Sequence, residues 1–275
     1  MAIVRTLTIL ALVGLIVGGS AFFAYELYWK PKWLDLEDKA ASRDSAATAH
    51  YSLPAFEKAA ALQQSGDLEQ ARAAWTQFIQ NYPDSPKMGE AKSALGTINT
   101  SSVFSPTGSF PKTLYTVGKG DSLVKIAAKL KSNAELIFRA NNMQTINLKI
   151  GQQLAIPQLD IRMLVDRKAR TVTLLNGGQF FKEYAIIALK LPAVSARLQT
   201  KVADKVALRG SNRVAFGDKN YLGSERLIML ASTGIIIRGL PEGSQSAPPP
   251  GIVVSQRDAE EIFVLVSRGT PVEIQ

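Results

Sequence analysis

The chain carries little material for nucleophilic catalysis. It has no cysteine and a single histidine, His50, so thiolate chemistry and multi-histidine metal sites are excluded and no cofactor is expected. Three serines fall late in the sequence, Ser244, Ser246 and Ser255. Lys205 and Lys219 are the bases that such a hydroxyl would need. From sequence alone a Ser–Lys pair stays open. Acid–base work on a glycoside needs two facing carboxylates. Residues 113–157 hold only Asp121 and Glu135, and each stands where a helix cap is expected. Arg238, in "IIIRGL", cannot act as a base at neutral pH. It is either the partner of an anionic group or an ordinary surface arginine.

At 275 residues with 46% hydrophobic and 20% charged residues, the chain suits two or three compact modules with real cores. The net charge of +9 is uneven: residues 35–98 carry 6 Lys+Arg against 9 Asp+Glu, whereas 158–275 carry 16 against 11. The basic residues form no run or helical stripe, which argues against nucleic acid. They suit a polyanionic partner or a plain solvated surface.

Five segments must position these groups. Thr6 to Tyr25 contains no charge, and about 20 apolar residues span a bilayer as a helix. Tyr25, Tyr28, Trp29 and Trp33 follow as an aromatic belt. Residues 1–30 are therefore expected to be an uncleaved transmembrane anchor, with a cleaved signal peptide as the alternative. Arg5 and Lys30/Lys32 leave the orientation balanced.

Residues 31–98 form an expected helical stalk. Leu68, Ala71, Trp75, Phe78, Ile79 and Tyr82 recur at helical steps, Gly66 breaks the chain, and Pro83 ends the helix. The Ser/Thr/Pro/Gly-rich residues 99–113 are expected to be a linker.

Residues 114–158 predict strand–helix–helix–strand. Tyr115–Val117 is a strand, and Asp121 would cap a helix from Ser122 to Leu130. Ser132–Glu135 would be a capping box opening a second helix, and Gln153–Ile156 a closing strand. From Ile161 the pattern turns to strands: "IRMLVD", "TVTLL", a turn at Asn176-Gly177-Gly178, and "QFFKEYAIIAL". One late helix, "SQRDAEEIFVLVSRG", has Ser255 as its cap, and "TPVEIQ" closes the chain.

Three resemblances follow from these motifs. "AALQQSGDLEQARAAWTQFIQNYPDS" resembles one tetratricopeptide repeat, which is too few for a solenoid. A spacer and a protein-docking groove both remain open for it. "YTVGKGDSLVKIAAKL" through "INLKIGQQLAIP" resembles the LysM family along its whole length. That resemblance implies binding of N-acetylglucosamine polymers such as peptidoglycan. It implies a groove made by Gly120, Asp121, Ser122 and Leu123 on one side and Asn142, Met143, Ile146 and Ile150 on the other. Asp121 reads equally as a cap, and Leu123 and Ile146 equally as core.

"MLVDRKARTVTLLNGGQFFKEYAI" and "VSQRDAEEIFVLVSRGTPVEI" resemble the L,D-transpeptidase catalytic domain, over residues 159–275. The family's Ser-His-Gly-Cys-x-Arg motif falls here on Pro248, Pro249, Pro250, Gly251, Ile252 and Val253. Arg238 and Gly239 stand where an Ile-His-Gly strand is expected. The resemblance thus implies a scaffold without its nucleophile, base or arginine. An enzyme with a non-cysteine nucleophile is the alternative. The sequence as a whole predicts a multidomain α+β protein of the bacterial inner membrane, single-pass, with most of the chain on the wall side.

Overall fold

The computed structural model describes residues 51–192, 197–240 and 247–275. The expected anchor (1–30), His50, Ser244 and Ser246 lie outside them. Among the described residues no helix is long and apolar enough to cross a membrane.

Helix α1 occupies residues 51–64. It turns at Gly66, whose φ of +84° suits a residue without Cβ. Asp67 accepts the Gln70 N–H and so starts α2, Leu68–Asn81. The expected face is the one buried: Ala71, Trp75 and Phe78. Phe56 of α1 meets Trp75 edge-to-face at 4.9 Å between ring centres.

Helix α3, Met88–Val103, runs into the segment read as a linker. Its Ser/Thr-rich end stays helical because the hydroxyls bond back to the helix itself: Thr97 to Ser93 O, Thr100 to Gly96 O, and Ser101 to Ile98 O. Packing supplies the rest. The Asn99 side-chain amide donates to Phe181 O at 2.8 Å, and Lys92 pairs with Glu183 at 2.9 Å. The hairpin is thus docked on the C-terminal sheet rather than held apart as a free spacer.

Next come strand β1 (Lys112–Thr116), helices α4 (Leu123–Lys129) and α5 (Ala134–Ala140), and strand β2 (Gln153–Pro157). β1 and β2 pair antiparallel, with Lys112 opposite Pro157. Val117, Leu123, Ile126, Ile137, Leu154 and Ile156 form the core of this small module. Leu136, on the far face of α5, belongs instead to the large core of the sheet domain.

The sheet domain contains β3 (Ile161–Asp166), β4 (Thr171–Asn176), β5 (Gln179–Ala185), β6 (Ala188–Lys190), β7 (Leu198–Arg209), β8 (Asn212–Arg213), β9 (Glu225–Leu230), β10 (Ile236–Leu240), β11 (Gly251–Ser255), helix α6 (Gln256–Leu265) and β12 (Pro271–Ile274). The order across the sheet is β5-β4-β3-β12-β7-β9-β10-β11-β6, with β8 paired to β7. β12 lies parallel to β3 and β10 parallel to β11; the other pairs are antiparallel.

Strict alternation in β3 buries Ile161, Met163 and Val165. The β4–β5 turn is Gly177-Gly178, both at positive φ (+56° and +81°), as a two-residue hairpin demands. Helix α6 packs on β9, β10 and β11, and buries Ala259, Ile262, Phe263, Val264 and Leu265.

Candidate functional site

The surface implied for glycan binding begins at the β1–α4 turn. Asp121 is not the helix cap. Its carboxylate accepts Gly118 N–H at 2.7 Å and Tyr115 O–H at 2.9 Å, so it closes the turn. Those two bonds, led by Gly118, hold its carboxyl below the usual range. The cap is Ser122, whose hydroxyl accepts Lys125 N–H.

Gly120 sits at φ +83°. Backbone bonds from Val117 N to Gln152 O and from Gly151 N to Val117 O bring this turn beside Ile150. Ile150 is 74% exposed and Ile146 46%; Leu114 and Val124 of the same module are exposed as well, at 70% and 61%. Asn142 is exposed at φ +48°, and Met143 packs against the module's core. Leu123, 3% exposed, is a core residue. Its side chain therefore does not face a groove.

The second expected cap also shifts. Asn133, not Ser132, starts α5: its Oδ1 accepts Glu135 N–H at 2.9 Å. Its amide nitrogen donates to Phe263 O and Val264 O at the end of α6. One side chain so serves the start of one helix and the end of another. A side-chain amide carries both the donor and the acceptor that this double role uses.

Glu135 is free of capping work and 4% exposed. Oε1 takes Arg139 at 2.5 Å, and Oε2 takes the hydroxyl of Tyr221 at 2.5 Å. Tyr221, whose hydroxyl is raised above its ordinary value chiefly by burial, lies on the β8–β9 loop. Its ring carries the Arg226 guanidinium at 3.8 Å. Phe216 of the same loop meets Phe138 of α5 at 5.5 Å. Sequence reasoning missed this junction, since its partners stand 86 residues apart and no local pattern links them.

Positions that the sequence resemblance aligns with the transpeptidase motifs lie on neighbouring strands. Arg238 and Val253 are register partners on β10 and β11. Arg238 pairs loosely with Glu225 at 3.6 Å, while Val253 is fully buried in the core. Gly251 has φ +115°, and a Cβ there would lie 2.2 Å from Ile236 O. A Cβ on Gly239 would lie 2.8 Å from the Gln256 backbone. Both glycines answer packing demands.

Pro249 is half-buried in the approach to β11. Pro250 and Gly251 line a cavity of about 360 Å3 with Lys190, Thr233 and Ile235. Ser255 is occupied as the cap of α6, accepting Asp258 N–H at 3.0 Å. Lys205 donates to Val266 O, and among the described residues no serine hydroxyl bonds to Lys205 or Lys219. The described residues also hold no cluster of three His, Cys, Asp or Glu that could bind a metal.

Comparison with known proteins agrees with part of this picture. No curated protein matches the chain. Solved structures to which part of the chain is similar include an L,D-transpeptidase from Mycobacterium smegmatis (13% identical, 46% of this chain, 64% of that one, TM-score 0.30). L,D-transpeptidase 1 of Mycobacterium tuberculosis (15% identical, 45% and 66%, TM-score 0.30) is another. A third comes from Stackebrandtia nassauensis (11% identical, 42% and 55%, TM-score 0.31). The chain thus spans under two thirds of each of these chains. The LysM domain model matches residues 115–157. With its β–α–α–β path, its two capped helices and this match, that segment is a LysM domain.

Proposed function

We propose that this protein holds peptidoglycan in the bacterial envelope without cutting or joining it. The observation that carries this reading is the LysM match over 115–157, with the exposed Ile150 beside the Gly120–Ser122 turn. Exposed aliphatic side chains suit the apolar face of N-acetylglucosamine. The sheet domain, L,D-transpeptidase-like by sequence resemblance, is an accessory binding or docking surface in this scheme. Its lack of catalysis is supported by the aliphatic Pro248–Val253 stretch and by the commitment of Ser255 to a cap. An anchor at residues 1–30 would keep the protein at the inner membrane facing the wall, and the helical hairpin would be available to a protein partner.

The test uses the whole protein on purified peptidoglycan. Ile150→Asp should weaken binding at least about tenfold, or ~1.4 kcal/mol. The thermal midpoint should stay unchanged, because the side chain is already in water. Undiminished binding would remove the LysM face from the reading. Separately, incubation with tetrapeptide-stem muropeptides should yield no cross-linked or amino-acid-exchanged product. Any such product would establish an enzyme with a non-cysteine nucleophile.

A further inference from the structure

A cavity of about 660 Å3 opens where the LysM domain meets the sheet domain. It is distinct from the glycan face and from the altered cleft beside Gly251. Its walls are mainly apolar: Val124 and Ala128 of α4, Val214 and Phe216 of the β8–β9 loop, and Phe263 of α6. Every charged residue lining it is a cation, namely Lys131, Lys205 and Arg268.

Arg268 is already engaged by Asp204, through Nε at 3.0 Å and Nη2 at 2.5 Å. Lys205 is not so matched. Its ammonium donates to Val266 O at 2.5 Å and lies 4.5 Å from the centre of the Phe263 ring. Among the described residues no carboxylate pairs with it. Two further polar groups nearby are incompletely served. Ser132 lines the cavity, and its buried hydroxyl has no hydrogen-bond partner. Arg226, 2% exposed, bonds only to Tyr221 O, Ser224 O and the Ser224 hydroxyl, and its Nε has no partner.

The charges facing Lys205 are therefore Glu135 from α5, Arg226 from β9, and Lys131 and Arg268 at the rim, with Tyr221 between. Glu135 acts on it from α5 but is held by Arg139 and the Tyr221 hydroxyl, and the neighbouring Asp204 is taken by Arg268 and the Lys205 backbone N–H. Buried positive charge without a matching anion is costly, and an apolar cavity with one cationic wall is complementary to an amphiphilic anion.

We propose that this cleft binds a carboxylate carried on a short apolar group, with the Lys205 ammonium as its counter-ion and the Ser132 hydroxyl as a hydrogen-bond donor to it. This does not rest on the glycan reading. Burial, offset in part by Glu135 and reinforced by Arg226, lowers Lys205 to about 7. Its charge, and with it the affinity for an anion, should then be lost across neutral pH.

The same chemistry is presented by a free short-chain acid and by the C-terminal residue of a peptide. The full-length protein should be titrated calorimetrically with 4-methylpentanoate and with N-acetyl-leucine. The better binder identifies the source. N-acetyl-leucinamide, which lacks the charge, should bind at least about tenfold more weakly, as should either acid to Lys205→Met. Affinity should fall about tenfold from pH 6 to pH 8, following the protonated fraction of a group near 7. Ala128→Phe, which fills the cavity from an exposed helix position, should abolish binding and covers the case in which Lys205→Met misfolds. Equal affinity for the amide, undiminished binding to a folded Lys205→Met or to Ala128→Phe, a flat pH profile, or no saturable binding of either acid would each overturn the proposal.

Discussion

The bond between Tyr221 and Glu135 offers a sharp test of whether the LysM and sheet domains behave as one cooperative body. Tyr221→Phe removes only a hydroxyl. The ring stays between Phe216, 5.3 Å away, and the Arg226 guanidinium at 3.8 Å. Glu135 keeps Arg139 at 2.5 Å but loses the 2.5 Å bond from Tyr221, on a residue only 4% exposed. A hydrogen bond to a buried charged acceptor contributes about 1.5–3 kcal/mol, so the loss should be about 2 kcal/mol. With a urea m-value of about 2 kcal/mol per M, the unfolding midpoint should fall by roughly 1 M.

The assay is urea unfolding of the whole protein, followed by far-UV circular dichroism and by an amide resonance in each domain, completed as a double-mutant cycle with Glu135→Ala. Tyr221→Phe should cost less than half as much in the Glu135→Ala background, a coupling of about 1 kcal/mol or more. Full additivity, or a LysM transition that ignores Tyr221→Phe while the sheet domain shifts, would refute the claim that this contact joins the two.

Other perturbations probe other parts. Trp75→Ala, at a position 2% exposed in the helical hairpin, should cost about 3–5 kcal/mol in chemical denaturation. Gly251→Ala places a methyl group 2.2 Å from Ile236 O at φ +115°; a loss of at least about 1–3 kcal/mol, read as a lower thermal midpoint, is expected. Asp121→Asn concerns a carboxylate whose folded value lies below its unfolded one, so its contribution is present above about pH 4 and is lost as pH falls through the folded value. The gap in thermal midpoint between the parent and Asp121→Asn should therefore be open at pH 6 and close toward pH 2.

Much of this architecture could be read from local pattern. β3 and β4 are legible as the strand-forming runs "IRMLVD" and "TVTLL", and Gly177-Gly178 dictates the turn after them. The cap at Ser255 and the buried face of α2 follow equally from neighbours in sequence. What resisted reading depends on distant partners or on competition between adjacent candidates. Residues 99–103 look like linker by composition, yet their hydroxyls bond back along the helix and Asn99 reaches Phe181. Asp121 and Ser122 both favour a cap, and the Tyr115 hydroxyl decides between them by claiming the carboxylate. Asn133 prevails over Ser132 because α6 supplies carbonyls for its amide. Lys205 carries no local sign of its setting, which is assembled from elements distant in sequence. Within the implied glycan surface, Leu123 and Ile146 both read equally as core, and only the packing separates the buried Leu123 from the exposed Ile146.

The placement of Leu136 in the sheet domain's core bears on how this protein can be taken apart. Scissors guided by the LysM motif would cut at 113 and 158 and leave a fragment with a leucine stranded in solvent, an acid stripped of its phenolic partner, and an asparagine donating to nothing. The sheet domain would be left with an open wound of the same outline. A carbohydrate affinity measured on either half would report on damaged surfaces, whereas single-residue changes in the intact polypeptide leave the seam closed.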